Sequence, residues 1–184
     1  MVPETLLPFL PSSLALDVSI KRLEGDVLQL DYFLTAQKSD VVLPSQLQSG
    51  QSVRRDELWK ETCFELFLSV DNGEGVQAYY EFNFSPSGDW AVYRFDGYRD
   101  GMTSPEVLSP PEIEGRWLEG QYHMSAAICV SDFEELSGKP LKAGLCAIVE
   151  EQERQISHWA LCHLGEKPDF HRLDSFEHRL DPIL

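Results

Sequence analysis

The stretch "YYEFNFSPSGDWAVYRFDGYR" (residues 79–99) decides the fold, because two strand-like halves flank a short segment of turn-forming residues. Aromatic side chains alternate with other residues on both sides of "SPSG", which is typical of an antiparallel β-hairpin. A four-residue loop over 86–89 would place Glu81 directly opposite Arg94. The residues that the alternation predicts to face the core are Tyr80, Phe82, Phe84, Ala91, Tyr93 and Phe95.

The same period-two alternation recurs along the chain and predicts about eight strands. Short strands separated by turn signals such as "DNGEG" (71–75) favour an all-β fold: a single-domain antiparallel β-sandwich, jelly-roll or immunoglobulin-like, over residues 1–184. The proline-containing segment 100–119 is interpreted as one long surface loop, and 131–138 as a single helical turn. The predicted strands are 14–20, 26–36, 62–70, 78–85, 90–96, 122–130, 141–150 and 155–162.

The composition limits the classes of binding partner and the cellular compartment that can be expected. The formal charge of −16 argues against nucleic acid and against an anionic membrane surface, because both attract cationic proteins. No apolar run is long enough to span a bilayer, and the N-terminus lacks the basic and apolar regions of a signal peptide. The four cysteines are far apart in sequence. A reduced cytoplasmic protein is therefore expected, and the alternative is one or two disulfides after export.

In the hairpin and in the strand before it, several polar residues occupy the alternate positions that are predicted to point away from the core. Glu81, Asn83 and Arg94 would share one face, and Glu65 would join them if strands 62–70 and 78–85 are neighbours. Two interpretations stand: a solvated face with a Glu81–Arg94 ion pair, or a ligand-binding face bordered by aromatic rings. Trp59 favours the second interpretation, whereas Trp90 suits a core position equally well.

Three separated segments resemble a known group of proteins. They are "RRDELWKETCFELFLSV", "YYEFNFSPSGDWAVYRFDGYR" and "ISHWALCHLGEKPDFHRLDSF", and the resemblance extends from about residue 14 to the end of the chain. The sequence is similar to bacterial DOMON-like domain proteins of uncharacterised function, which are related to the family-nine carbohydrate-binding modules. The resemblance implies a jelly-roll β-sandwich that binds a sugar or haem.

The resemblance also implies roles for particular residues. In "WKETCFE" the six-residue spacing makes Trp59 the sugar-stacking residue and Glu65 a hydrogen-bonding carboxylate. Trp159 is the counterpart of a second stacking tryptophan, and Arg94 that of a binding arginine. The related modules carry structural calcium, but no acidic loop of this sequence clearly reproduces such a site.

The resulting hypothesis is a non-catalytic domain that binds a carbohydrate or another polyhydroxylated small molecule, without a cofactor and with an oligomeric state left open. Glu81 and Asn83 would add hydrogen bonds, and Arg55 or Asp56 would lie at the rim. The ligand-binding residues predicted are Trp59, Glu65, Glu81, Asn83, Arg94, Trp159, Arg55 and Asp56.

Several alternatives remain open. A haem-binding redox module would use Met124 or Met102 with a histidine, and an interaction domain would bind a protein through the polar face. Glu65 and Glu81 would be the carboxyl pair of a glycosidase if the domain were an enzyme. A metal site could also be built from the C-terminal cluster, but hydrogen bonds from His163, Asp169 and His171 that hold the C-terminal segment over one end of the sandwich are the more ordinary interpretation. That cluster comprises His158, Cys162, His163, Asp169 and His171.

Overall fold

The architecture consists of antiparallel β-strands in a computed structural model that describes residues 2–45, 52–73 and 77–183. Short 3₁₀ helices at Leu58–Lys60, Val130–Asp132, Gln152–Arg154 and Leu173–Ser175 connect some of the strands. The strands of the described residues are β1 (Glu4–Pro8), β2 (Ala15–Leu23), β3 (Val27–Thr35), β4 (Val41–Val42), β5 (Cys63–Val70), β6 (Tyr79–Phe84), β7 (Trp90–Phe95), β8 (Glu112–Leu118), β9 (Gln121–Cys129), β10 (Leu141–Glu151), β11 (Ile156–Ala160) and β12 (His178–Leu180).

The strands form two sheets that share β1. Sheet A has the order β1-β2-β3-β9-β8, and sheet B has the order β7-β6-β5-β10-β11-β1. β1 belongs to both sheets because its first residues pair with β2, whereas Leu7 and Pro8 pair with β11. The short strands β4 and β12 pair with β10. The fold class predicted from the sequence, an all-β antiparallel sandwich, is confirmed.

The main hydrophobic core lies between the sheets. Alternate residues of each strand point into it, such as Leu16 and Leu30 from sheet A and Leu66 and Phe82 from sheet B, all fully buried or nearly so. This is the burial that period-two alternation produces when one face of each sheet packs on the other sheet.

Sheet B is buried on its second face as well, which we call the outer face. Chain segments after β11 cross it, and Phe170 and Phe176 pack there against Phe67 of β5. Gly144 of β10 permits this close packing, since a Cβ atom at this position would lie 2.7 Å from the Phe176 ring. The two-sided burial explains why β5 and β6 carry large apolar residues on both alternations.

The hairpin register differs from the prediction by one residue. The loop is three residues long (86–88) and ends at Gly88, whose φ of 93° suits glycine and completes a tight turn. Phe84 therefore pairs with Trp90, and Glu81 lies opposite Tyr93 rather than Arg94.

A one-residue shift moves every side chain of a strand to the other face. Trp90 and Val92 consequently belong to the main core. The prediction that Ala91, Tyr93 and Phe95 face that core is wrong, because all three lie on the outer face of sheet B.

Other local predictions also need correction. The segment 100–119 is not one loop, because β8 occupies its second half and pairs with β9 at the edge of sheet A. Strands β1, β4 and β12 were not predicted, since they are short or interrupted by proline. Part of the turn predicted at "DNGEG" lies outside the described residues. No helix in the described ranges is long and apolar enough to cross a membrane.

Candidate functional site

A cavity of about 480 Å³ opens on the outer face of sheet B. Its volume lies within the range of small-molecule sites, roughly 300–1,000 Å³. Its apolar lining residues are Trp59, Phe67, Tyr93, Phe95, Met102, Ile148, Pro168 and Phe170. Its polar lining residues are Glu65, Glu81, Arg99, His158 and His171.

Two carboxyl groups from neighbouring strands lie at this cavity. Glu65 of β5 is opposite Asn83 of β6, and Glu81 is two residues before Asn83, so both point to the outer face. Only 2% of Glu65 and 6% of Glu81 is exposed to solvent. Burial raises the pKa of Glu65 well above its ordinary value, and the neighbouring Glu81 raises it further.

The two carboxyl groups differ in their partners. Asn83, which is fully buried, donates an amide N–H to Glu81 Oε1 at 2.7 Å. The pKa of Glu81 is nevertheless raised, because its desolvation outweighs the lowering effects of Asn83 and Arg99. The Glu65 side chain makes no hydrogen bond to any residue in the described part of the chain, which leaves its oxygens free to bind a ligand.

Hydrogen bonds fix the orientation of His171 beside Glu81. The backbone N–H of Arg99 donates to the Tyr79 hydroxyl at 3.1 Å, and that hydroxyl lies 2.8 Å from His171 Nδ1. When the hydroxyl donates to Nδ1, a neutral His171 carries its proton on Nε2, which lies 3.7 Å from Glu81 Oε2. Burial, followed by the charge of Arg99, lowers the pKa of His171 to about 4.

Aromatic rings form one side of the cavity. Trp59 lies in the 3₁₀ helix just before β5 and is partly buried. Its ring meets Tyr93 edge to face, with 5.7 Å between the ring centroids. The Tyr93 hydroxyl donates to Asp56 at 2.8 Å, which ties β7 to the loop that carries Trp59. Apolar faces and directed acceptors thus occur side by side, as ring-shaped polar ligands require.

The segment after β7 and the segment after β11 complete the cavity. The guanidinium of Arg99 lies 2.9 Å from Asp169 Oδ1, and Tyr98 donates to the other oxygen of the same carboxylate. His163 contacts the carbonyl oxygen of Leu7 at 2.9 Å. The prediction that His163, Asp169 and His171 hold the C-terminal segment by hydrogen bonds is confirmed, although the segment covers the outer face of sheet B rather than one end of the sandwich.

The structure brings together part of the predicted ligand-binding set. Trp59, Glu65 and Glu81 line the cavity, and Asn83 donates a hydrogen bond to Glu81. Arg55 lies outside the lining and pairs with Asp89 at 3.0 Å, while Asp56 contacts the cavity only through Tyr93.

Arg94 and Trp159 lie away from the cavity. The register shift puts Arg94 on the side of Tyr80, where it binds Glu135 at 2.8 and 2.9 Å and Asp96 at 2.5 Å. Trp159 is 1% exposed in the main core, and its indole N–H donates to Ser157 at 2.9 Å. The expectation that both residues lie beside the other predicted ligand-binding residues is therefore corrected, because strand pairing turns their side chains to the opposite face of sheet B.

Sequence reasoning missed the lining residues that depend on register or on distant chain segments. The sequence predicts core positions for Tyr93 and Phe95 because a four-residue hairpin loop is one residue longer than the loop in the structure. Arg99 and Met102 follow β7, and Phe170 follows β11, so only tertiary packing brings them to the cavity. The positive charge of Arg99, two residues after "FDG", was the available signal.

The described residues bear on the metal and haem alternatives. No group of three or more His, Cys, Asp or Glu that could hold a metal ion occurs in residues 2–45, 52–73 and 77–183. Met124 does not fit an axial haem ligand, because it is fully buried in the core between the sheets. Met102 lines the cavity and is largely exposed.

No protein-family model matches the chain, and comparison with curated proteins finds no match. Solved structures do match. One is a "putative carbohydrate-binding protein" from Bacteroides uniformis, with a TM-score of 0.68 and 17% identity, over 97% of this chain and 85% of that chain. Another is a family 9 carbohydrate-binding module from Caldicellulosiruptor kristjanssonii in complex with glucose, with a TM-score of 0.57 and 11% identity, over 98% and 83% of the two chains.

This chain has a β-sandwich similar to that of a family 9 carbohydrate-binding module. At these identities the likeness describes the fold. The cavity on the outer face of sheet B is therefore interpreted from its own residues.

Proposed function

We propose that the protein is a non-catalytic carbohydrate-binding domain and that its ligand occupies the cavity on the outer face of sheet B. The sugar ring stacks on Trp59, and its hydroxyl groups bond to Glu65, Glu81 and Arg99. The glucose complex of a structural neighbour and the sequence resemblance to DOMON-like proteins support the same ligand class.

The observation that carries this proposal is the unpartnered carboxyl group of Glu65. The residue is 98% buried, yet its carboxyl oxygens are not among the fully enclosed side-chain atoms that lack a partner, so they are accessible from the cavity. Here the group opens into a cavity with aromatic walls. A sugar hydroxyl would supply the missing hydrogen bond while its C–H face covers the rings.

A glycosidase is less well supported by the same geometry. Glycoside hydrolysis needs one carboxyl group that stays ionised and a second that carries a proton. Desolvation raises the pKa of both Glu65 and Glu81, although Asn83 and Arg99 act to lower that of Glu81, so the two carboxyl groups are shifted in the same direction and not toward the two opposite roles. The structural neighbours that match this fold are described as carbohydrate-binding.

The proposal is tested by titrating the purified protein with glucose, followed by a panel of mono- and disaccharides. Binding heat and tryptophan fluorescence are recorded together, because Trp59 lies at the cavity. Each neutral hydrogen bond contributes about 0.5–1.5 kcal/mol, so weak, saturable binding is expected. The visible absorption spectrum is recorded first, since a Soret band would favour the haem alternative.

Two tryptophan variants make the test specific. Trp59→Ala should abolish the response, whereas Trp117→Ala, which changes a partly buried tryptophan on β8 of sheet A, should leave it intact. Sugar binding unchanged in Trp59→Ala would contradict the stacking role. The absence of any sugar response and of a Soret band would overturn both small-ligand functions and favour the protein-interaction alternative.

A further inference from the structure

The cavity has an excess of acidic groups. Glu65 and Glu81 contribute two carboxyl groups, while Arg99 is the one lysine or arginine of its lining in the residues that the structure describes. The guanidinium of Arg99 is already paired with Asp169 at 2.9 Å. A neutral sugar would therefore leave the acidic pair without a positive partner.

Glu65 is the group for which a partner is missing. It is 98% buried, and its side chain receives no hydrogen bond from any described residue. His171 does not supply one either, since its Nε2 lies 3.7 Å from Glu81 Oε2 and its Nδ1 contacts the Tyr79 hydroxyl. The titratable groups around Glu65 are Tyr32 on β3, Cys63 on its own strand, Glu81 on β6, Tyr93 on β7, Cys146 on β10, His158 on β11, and Arg99 and His171 on the covering segments.

We infer that the ligand is an amino sugar whose protonated amine binds Glu65. An ammonium group has three donors and no acceptor, so it matches an acceptor that lacks a donor. The aromatic rings beside Glu65, among them Phe67 and Tyr93, attract a cation through their π faces. The net charge of −16 raises the concentration of cations near the protein.

Binding is expected to release a proton. In the free protein burial and the neighbouring Glu81 raise the pKa of the Glu65 carboxyl group, and an ammonium ion beside it favours the carboxylate instead. Each Glu65 that is protonated when the ammonium group arrives loses its O–H bond, the proton passes to solvent, and the carboxylate accepts an N–H from the amine. The binding heat should accordingly change with the ionisation enthalpy of the buffer.

The inference rests on the proposed function, and one calorimetric series separates the two. The wild-type protein is titrated near neutral pH with glucose, glucosamine, N-acetylglucosamine and cyclohexylamine, each in two buffers of different ionisation enthalpy. Glucosamine should bind about tenfold more tightly than glucose, since a charge-assisted hydrogen bond is stronger than a neutral one. N-acetylglucosamine, whose nitrogen is uncharged, should lose that advantage.

The variant Glu65→Gln should bind glucose and glucosamine equally, with no proton release. Glu112→Gln is the matched control, because it makes the same change at an exposed position of β8, and it should keep the tenfold difference. A glucosamine advantage that persists in Glu65→Gln would overturn the assignment of Glu65 as the acceptor. If Glu65→Gln fails to fold, the wild-type ligand series still decides the ligand class.

The remaining outcomes distinguish the two proposals. Equal affinities of the wild-type protein for glucose and glucosamine would overturn the inference and leave the sugar function standing. Binding of cyclohexylamine and glucosamine alike, with no binding of glucose, would support the cation site and overturn the carbohydrate function. No binding of any of the four compounds would overturn both.

Discussion

Glu65 of β5 and Glu81 of β6 are diagonal neighbours on the outer face of sheet B and line the same cavity. Diagonal neighbours on adjacent strands lie about 7–8 Å apart at their Cα atoms, within reach of two glutamate side chains. Asn83 donates a hydrogen bond to one carboxyl oxygen of Glu81, whereas none of the residues that the structure describes forms a hydrogen bond with the Glu65 side chain. The strand register thus places two carboxyl groups in one site, of which only Glu81 receives a side-chain hydrogen bond from a described residue.

The first prediction is that Glu65→Gln stabilises the protein increasingly as the pH rises. In the unfolded chain the carboxyl group loses its proton around its ordinary pKa of 4.5, while in the folded protein the pKa is raised. The stability that this proton contributes is present below pH 4.5 and is lost as the pH rises through the folded pKa. Glutamine does not ionise, so this loss is absent in the variant.

Thermal unfolding measured from pH 4.5 upward checks the prediction. The unfolding temperature of Glu65→Gln, minus that of the wild type, should grow with pH. Glu112→Gln, which makes the same change at an exposed position of β8, is measured as the matched control. A difference for Glu65→Gln that does not change with pH would mean that Glu65 ionises normally in the folded protein.

The sequence predicted the parts of the fold that depend on local alternation. On β5 and β6 each residue lies on the face that period-two spacing assigned to it, which is why Glu65, Glu81 and Asn83 were correctly grouped on one face. On β7 both alternations carry large apolar residues, such as Trp90 on one and Tyr93 on the other, so hydrophobicity could not choose between them. The choice depended on the turn, where Gly88 with its positive φ shortens the loop and reverses the strand's faces.

Residues contributed by distant segments could not be predicted from local patterns. His171 reaches the cavity through Tyr79, 92 residues earlier in the chain, and Phe170 through packing against Phe67. Trp159 illustrates the opposite error: a tryptophan that resembles a stacking residue lies in the core, because β10 pairs it with Ala147 on the inner face of sheet B. Strand pairing of this kind is set by tertiary structure.

The second prediction contrasts two tryptophans. Trp159→Ala should lower the free energy of unfolding by about 3–5 kcal/mol, because it removes a fully buried ring from the main core. Trp59→Ala removes a partly exposed ring and should cost about 1 kcal/mol. Urea denaturation of both variants measures these losses. Comparable losses would mean that Trp59 is part of the structural core and would weaken its assignment as a ligand-stacking residue.

The third prediction concerns the two arginines that flank the end of β7. Arg99→Ala should weaken glucose binding several-fold, because it removes a donor that lines the cavity. Arg94→Ala is the matched change on the opposite face, where the ion pairs with Glu135 and Asp96 are partly exposed and contribute about 0–1 kcal/mol to stability. Calorimetric titration should therefore show wild-type affinity for Arg94→Ala. A loss of affinity in Arg94→Ala alone would favour the register first inferred from the sequence.

The fourth prediction uses the low pKa of His171. Burial and the charge of Arg99 lower it from 6.5 to about 4, so the folded protein holds a neutral imidazole that the unfolded chain would protonate. The contribution of neutral His171 to the free energy of unfolding is fully present above pH 6.5 and is lost as the pH falls toward 4. The wild type should exceed His171→Gln in unfolding temperature most clearly above pH 6.5, and this advantage should shrink as the pH is lowered to about 4. Direct titration of the His171 ring by nuclear magnetic resonance provides an independent readout, and a midpoint near 6.5 would show that neither burial nor Arg99 acts on the ring as the structure implies.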